Sequence, residues 1–279
     1  MPPVTPLIIL SIAGFDPSSG AGVTADIKTI AAHGCYGVAC ITGLTVQSTQ
    51  GVRRAEPVAG KLIRDTLKEL AADFTFSGAR IGMLASADGV AAVVEFLKAH
   101  KVPNVVLDPA IRASSGAPLL DKAGIEKLRK ELLPLATVIT PNIDEAATLA
   151  GMPVTNVEQM KAAAAALHQM GAKSVVVTGG HLDKPVDVLS IRGGKVEEFA
   201  LDKLRSTSTH GTGCAFSSAL ACQLAAGRDL DDAVVMAKAY VTNAIARAQS
   251  VGKGAGPVNH LFRMDDQPRQ AQDALEKAH

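Results

Sequence analysis

Short apolar runs recur along the chain, separated by longer stretches in which apolar positions return every three or four residues. The first pattern predicts buried strands and the second amphipathic helices. Strands are expected at residues 7–12, 38–44, 79–83, 104–107, 136–140 and 173–178. Helices are expected at 21–33, 57–72, 86–100, 143–150 and 156–170. Gly34 can stop the first helix, Pro57 can open the second, and Ser86 with Asp88 can cap the third. Residues 186–191 and 195–200 flank Arg192-Gly193-Gly194, a hairpin signal. Helices at 212–226 and 230–249 follow, and the polar stretch 262–279 reads as a surface helix or frayed tail.

Apolar strands alternating with helices imply an α/β fold, with a mainly parallel sheet covered on both faces. The hairpin adds antiparallel strands at one edge. In such sheets the ligand site lies beyond the carboxyl ends of the strands. The loops after Ile12, Leu44, Met83, Leu107, Thr140 and Thr178 therefore hold the candidate chemistry.

Composition narrows the function classes. Of 279 residues, 47% are hydrophobic and 20% charged, which describes a folded chain with a sizeable core. No linker or repeat divides it, so one domain over residues 1–260 with a polar tail at 261–279 is expected. Lys plus Arg number 28 against 27 Asp plus Glu, so no global field would hold a nucleic acid. Aromatics are 3% with no Trp, leaving few stacking platforms. Cys35, Cys40, Cys214 and Cys222 have neither zinc spacing nor a disulfide framework. The first residues lack a basic segment before an apolar core, and no apolar run reaches the ~18 residues that span a bilayer. A cytoplasmic chain without membrane contact is expected.

Four segments carry candidate chemistry. Residues 13–22 include three glycines and two serines, which let backbone approach a ligand, although a mobile turn has the same composition. Thr207-Ser-Thr-His-Gly-Thr-Gly-Cys214 opens into a helix. Its amides can bind an anion and its dipole favours a Cys214 thiolate; a glycine-rich cap with a buried Cys fits the same residues. Asp108 follows a strand, and Asn142 and Glu145 stand three apart at a helix start. Oxygen donors there suit a hydrated Mg²⁺, and capping by the same pair is the alternative. Gln47 and Met83 fall in loops after strands, where an amide can pair with a heteroaromatic edge and a thioether can wall a flat ring.

These segments occur in one order. Ala13-Gly-x-Asp-Pro-Ser-x-Gly-Ala-Gly22 comes first, with Asp26 and Lys28, then Gln47-x-Thr-x-Gly-Val52 and Ile81-Gly-Met-Leu84. Leu107-Asp-Pro109, Ile139-Thr-Pro-Asn-x-x-Glu145, Gly179-Gly-His181, Thr209-His-Gly-Thr-Gly-Cys214 and Gly254-x-Gly-Pro257 follow. Over about residues 7–260 this resembles the hydroxymethylpyrimidine/phosphomethylpyrimidine kinases of thiamine biosynthesis, in the ribokinase-like superfamily.

The resemblance implies a three-layer α/β/α sandwich, usually a homodimer. It implies ATP-dependent phosphorylation of 4-amino-5-hydroxymethyl-2-methylpyrimidine, then of its monophosphate. Gly211, Thr212, Gly213 and Cys214 would form the anion hole, with Cys214 as the base. Gly14, Asp26, Gln47 and Met83 would contact the ring, with Ala110 also on the substrate side. Asp108, Asn142, Glu145, Thr178 and Thr209 would serve ATP and its phosphates, and Asp108 and Glu145 would hold Mg²⁺. Three positions depart from the family's pattern. Ser48 replaces its Asn, Ala110-Ile111 replaces its Val-Met, and Thr178 stands where it has a phosphate-side Lys. Lys28 or Arg112 would be left to supply that charge. The resemblance extends to pyridoxal and pyridoxine kinases, and the absent Lys raises the alternative of a non-catalytic pyrimidine-binding regulatory protein.

Overall fold

Strands and helices alternate in the computed structural model, which describes residues 5–265 except 114, 181, 183 and 201–205. In chain order the first elements are β1 (Ile8–Phe15), α1 (Gly22–Ala32), β2 (Tyr36–Ser48), β3 (Gly51–Pro57), α2 (Gly60–Asp73), β4 (Gly78–Ile81), α3 (Ala87–Ala99) and β5 (Val105–Leu107). Next come α4 (Lys122–Lys127), β6 (Val138–Ile139), α5 (Ile143–Ala150), α6 (Val157–Gln169), β7 (Ser174–Val177), β8 (Val186–Ile191) and β9 (Val196–Ala200). α7 (Thr212–Ala225), α8 (Leu230–Ala246) and the short α9 (Phe262–Asp265) follow. Among the described residues the strands form one sheet in the order β3-β2-β1-β4-β5-β6-β7-β8-β9. β2, β1, β4, β5, β6 and β7 run parallel, while β3, β8 and β9 pair antiparallel.

The strands face apolar layers on both sides because successive side chains point opposite ways. Leu10, Ile12, Val105, Leu107, Val175 and Val177 pack with α2–α6. Their neighbours Ile9, Val106 and Val176 pack with α1, α7 and α8. Two cores on one sheet make the α/β/α sandwich. α7 is buried continuously from Ala215 to Leu224, and its Ala, Ser and Cys side chains let it lie close between sheet and α8. Its N-terminus is thereby held at the carboxyl ends of the central strands. No helix of the described residues is long and apolar enough to cross a membrane.

The structure differs from the sequence pattern at the edges. Antiparallel strands close both edges, not one. β3 is half-exposed and polar (Gly51-Val-Arg-Arg-Ala-Glu-Pro57), so no apolar run marks it. Pro57 ends β3 and does not open α2. β1 and β2 continue to Phe15 and Ser48. α4 and the helical turns through Leu135 have no counterpart among the expected elements. Ser86 caps α3 by accepting from the Gly89 amide, whereas Asp88 accepts from the Gly60 amide of α2 at 3.0 Å. The tail from 266 onward lies outside the described residues.

Candidate active site

The carboxyl ends of β1, β4, β5, β6 and β7 and the start of α7 surround a cavity of about 620 Å³. Gly14, Gln47, Met83, Asp108 and Ala110 line it. So do Asn142, Glu145, Thr178 and Thr209, together with Gly211, Thr212, Gly213 and Cys214. Asp26 does not. It is 0% exposed and accepts from Ser11 Oγ (2.6 Å), Ser218 Oγ (2.9 Å) and Arg80 Nη1 (3.1 Å). The ring contact expected of Asp26 is therefore corrected: it supports Arg80 from behind the cavity wall. Burial raises its pKa and the Arg80 guanidinium opposes that rise.

α7 begins at Gly211, whose φ of 84° is left-handed and whose Cβ would run into the Gly20 carbonyl oxygen. No side chain of the described residues caps this end. The first bond of the ladder is from the Ala215 amide to Gly211 O, 2.9 Å, so the earlier amides of Gly213 and Cys214 stand at the cavity wall for an anion. A Cβ on Gly213 would meet only Asp108 Oδ2, at 3.8 Å. This glycine keeps open the space in front of the amides.

Cys214 differs from its expected state. Its surface opens partly on the cavity, yet the surrounding protein pushes the thiol pKa up to about 12. Burial is the largest cause; Arg80 pulls the other way, and the Asp26 and Asp108 carboxylates add to the rise. A helix terminus contributes ~0.3–2 kcal/mol, too little to offset that desolvation. The free chain carries a thiol, not a thiolate.

Two carboxyls face each other beside this turn. Asn142 and Glu145 form a reciprocal capping box, at 2.9 and 3.0 Å, and Glu145 Oε1 also accepts from the Ile111 amide at 3.2 Å. Burial, with the nearby Asp108 charge, pushes the Glu145 pKa up to about 8. Asp108 Oδ2 accepts from Arg80 Nη2 at 2.5 Å. Arg80 is 1% exposed and joins Asp26, Asp108 and Ser217 Oγ (3.0 Å), and a Cβ on Gly82 would occupy its guanidinium. The capping and cation-binding readings of Glu145 are compatible. Two hard oxygen donors on the cavity wall fit Mg²⁺, which keeps waters and takes one or two carboxylates plus phosphates. No group of three or more His, Cys, Asp or Glu among the described residues makes a complete cage.

At the other end, Gln47 lies within β2, paired with Val52, and not in a loop after the strand. Met83 follows β4 by two residues. Its carbonyl accepts from Thr42 Oγ1, and Gly14 makes room for its sulfur, since a Cβ there would come within 2.6 Å of Met83 Sδ. His210 Nε2 lies 2.8 Å from Asp16 Oδ2 and 3.3 Å from Gln47 Nε2. Burial would raise the Asp16 pKa, but hydrogen bonds from His210, Ser18 and the Ser18 and Ala21 amides bring it below the usual value. An ionised Asp16 claims the Nε2 proton. That nitrogen then cannot accept from Gln47, whose amide N–H is free for a ligand.

Beyond β7, Asp187 accepts from the Gly179 amide at 3.0 Å and from Lys238 Nζ at 2.6 Å, and both side chains line the cavity near Thr178. His181 lies outside the described residues. The sequence reading missed Asp16, Arg80, His210, Asp187 and Lys238 as site residues. Asp16 and His210 were visible within the motifs. Arg80 sits inside an apolar strand pattern, where a buried charge flanked by Gly82 is itself a signal. Asp187 and Lys238 are separated by fifty-one positions, and no local spacing links them.

The family model for phosphomethylpyrimidine kinase matches residues 16–259. A hydroxymethylpyrimidine/phosphomethylpyrimidine kinase of Aquifex aeolicus is 41% identical over 250 residues, covering 89% of this chain and 98% of that one. The thiamine biosynthesis bifunctional protein of Geobacter sulfurreducens is 40% identical over 260 residues, 92% of this chain. This chain spans about half, 53%, of that relative's length. The ADP complex of Bacillus subtilis pyridoxal kinase superimposes with a TM-score of 0.84 at 33% identity, over 92% of this chain and 99% of that one.

Proposed function

The chain belongs to the phosphomethylpyrimidine kinase family, and on that premise we propose that it transfers the γ-phosphoryl of ATP to 4-amino-5-hydroxymethyl-2-methylpyrimidine. A second transfer to the monophosphate then gives the diphosphate used in thiamine biosynthesis. The observation that carries this reading is the convergence, in one cavity, of an uncapped glycine-turn helix start, two carboxyls and the Gln47–Met83 pocket.

Phosphoryl transfer needs placement and charge stabilisation more than covalent help. Gln47 pairs with the polar ring edge and Met83 covers the ring face, turning the hydroxymethyl group toward Cys214. The Gly213 and Cys214 amides stabilise charge on the transferring oxygens. The Cys214 thiol first gives its proton to solvent, and Sγ then accepts the hydroxyl proton as the acceptor oxygen bonds the γ-phosphorus and the bond to the bridging oxygen breaks, leaving ADP. A thiolate with a pKa near 12 is then a strong base. Asp108 and Glu145 would hold Mg²⁺ against the phosphates, where the ion supplies charge neutralisation. Arg80 fixes Asp108 and keeps the buried carboxylates from repelling one another.

The chain is read as one domain with a polar tail, working in the cytoplasm with its four cysteines free. It pairs as a homodimer, a reading supported by the exposed Ile41, Leu44 and Val46 of β2. The likeness to pyridoxal kinase favours a second reading, in which a pyridine methanol is the acceptor. The test is kcat/KM for the pyrimidine alcohol and for pyridoxal at saturating ATP. The pyrimidine should be preferred by about tenfold or more, since a Gln amide left unpaired by the wrong ring costs about 1–3 kcal/mol. A preference for pyridoxal would replace the first reading by the second.

A further inference from the structure

We propose that Arg112 receives the acceptor's own phosphate in the second transfer, an inference that rests on the function proposed above. Among the described residues, Arg80, Arg112, His210 and Lys238 are the basic side chains lining the cavity. Three are committed to carboxylates. Arg80 bridges Asp26 and Asp108, His210 is 2.8 Å from Asp16, and Lys238 is 2.6 Å from Asp187. Arg112 is exposed, and its side-chain bond runs from Nη1 to Gly116 O at 3.3 Å, with no carboxylate partner among the described residues. Lys28, the other cation considered from the sequence, donates to Ser19 O at 2.9 Å and lines a separate groove.

The site needs such a cation. A monophosphate brings up to two negative charges beside Asp108 and Glu145, and this chain has Thr at position 178. A guanidinium matches phosphate with two parallel N–H donors, a pairing that stays favourable at a wet cavity mouth.

Its placement suits the acceptor side. After Asp108 the backbone takes a left-handed step at Ala110, φ 42°, and the Ile111 amide donates to Glu145. A small flap follows. Arg112 bridges to Pro118, the Ala113 amide donates to Ala117 O at 2.9 Å, and the Leu119 amide donates to Ile111 O at 2.9 Å. At the far end Ser115 Oγ accepts from the Val52 amide at 3.4 Å, and Val52 is the cross-strand partner of Gln47. The flap thus carries Arg112 from the carboxyl pair toward the ring pocket, and an acceptor phosphate sits between those two. The non-glycine residue held at positive φ at its root is the kind of strained position that marks ligand clamps.

The experiment measures kcat/KM for the pyrimidine alcohol and for its monophosphate, at saturating ATP, in the parent, Arg112→Gln and Arg112→Lys. The KM for ATP is measured alongside. Arg112→Gln should lower the ratio of monophosphate to alcohol efficiency by about tenfold or more, through the KM for the monophosphate. Arg112→Lys should restore part of it, because a point charge replaces the fork. If Arg112→Gln raises the KM for ATP as much as that for the monophosphate, Arg112 serves the nucleotide phosphates and the proposal is overturned. A parent that turns over the alcohol, with an Arg112→Gln ratio equal to the parent's, overturns the proposal and leaves the functional reading standing. A parent inactive on both acceptors overturns both.

Discussion

Gly211 and Gly213 stand two positions apart and do different work. Gly211 holds a left-handed φ of 84° against the Gly20 carbonyl, so its lack of a side chain is a folding requirement. Gly213 has open space, with Asp108 Oδ2 as its one near neighbour among the described residues, so its lack of a side chain serves the ligand. Gly211→Ala should therefore destabilise by about 2 kcal/mol or more, from the left-handed penalty plus the clash. Gly213→Val should keep most of its melting temperature but lose turnover by about 10²-fold, the scale for disabling one oxyanion donor. Thermal melts and kcat on the two variants separate these effects. Parallel losses of stability and activity in Gly213→Val would make the turn a helix cap and no more. Both glycines were legible in the sequence as one motif, but their division of labour depends on φ and on Gly20, nearly two hundred positions away. The state of Cys214 was misread for a related reason. Helix position is local and visible, whereas burial of the thiol and the nearby Asp26 and Asp108 charges, which outweigh the pull of Arg80, are tertiary properties.

At the scale of elements, the loop before α1 and the segment after α8 are tied by His260. Its Nε2 donates to Gly20 O at 3.2 Å, its Nδ1 accepts from Thr29 Oγ1 at 3.3 Å, and its carbonyl accepts from Tyr240 Oη at 2.6 Å. Burial, reinforced by Lys28 and His210 and partly opposed by the Gly20 contact, brings its pKa down to about 4. The folded state then binds fewer protons than the unfolded chain between about pH 6.5 and pH 4. Stability from His260 is complete above pH 6.5 and is lost as pH falls through that window, by up to about 3 kcal/mol. His260→Gln keeps a donor for Gly20 O but cannot titrate. The parent-minus-variant stability, from urea melts across pH 7.5 to 4, should fall toward acid; a flat difference would show that His260 does not titrate in this range. The sequence disclosed most helices of this scale because their apolar period is strong. α5, expected at 143–150, begins and ends where its capping Asn142 and C-terminal Gly151 place it. It did not disclose β3, whose stability comes from the β2 ladder and not from an apolar face.

For the whole molecule, the central parallel strands followed from buried apolar runs, and the site followed from the rule that such sheets bind ligands at their carboxyl ends. What the pattern could not supply was the charge balance of the cavity. Arg80 joins two strands and a helix to neutralise Asp26 and Asp108, and Lys238 reaches from α8 to Asp187. These partners are assembled by topology. On this charge balance the cavity phosphorylates a pyrimidine alcohol twice. The most direct measurement is a ³¹P NMR time course of the purified protein with ATP, Mg²⁺ and 4-amino-5-hydroxymethyl-2-methylpyrimidine. A phosphomonoester signal should rise first and then be replaced by a coupled diphosphate pair, as two ATP are consumed per pyrimidine. ATP left intact beside the alcohol, with the protein folded, would contradict it.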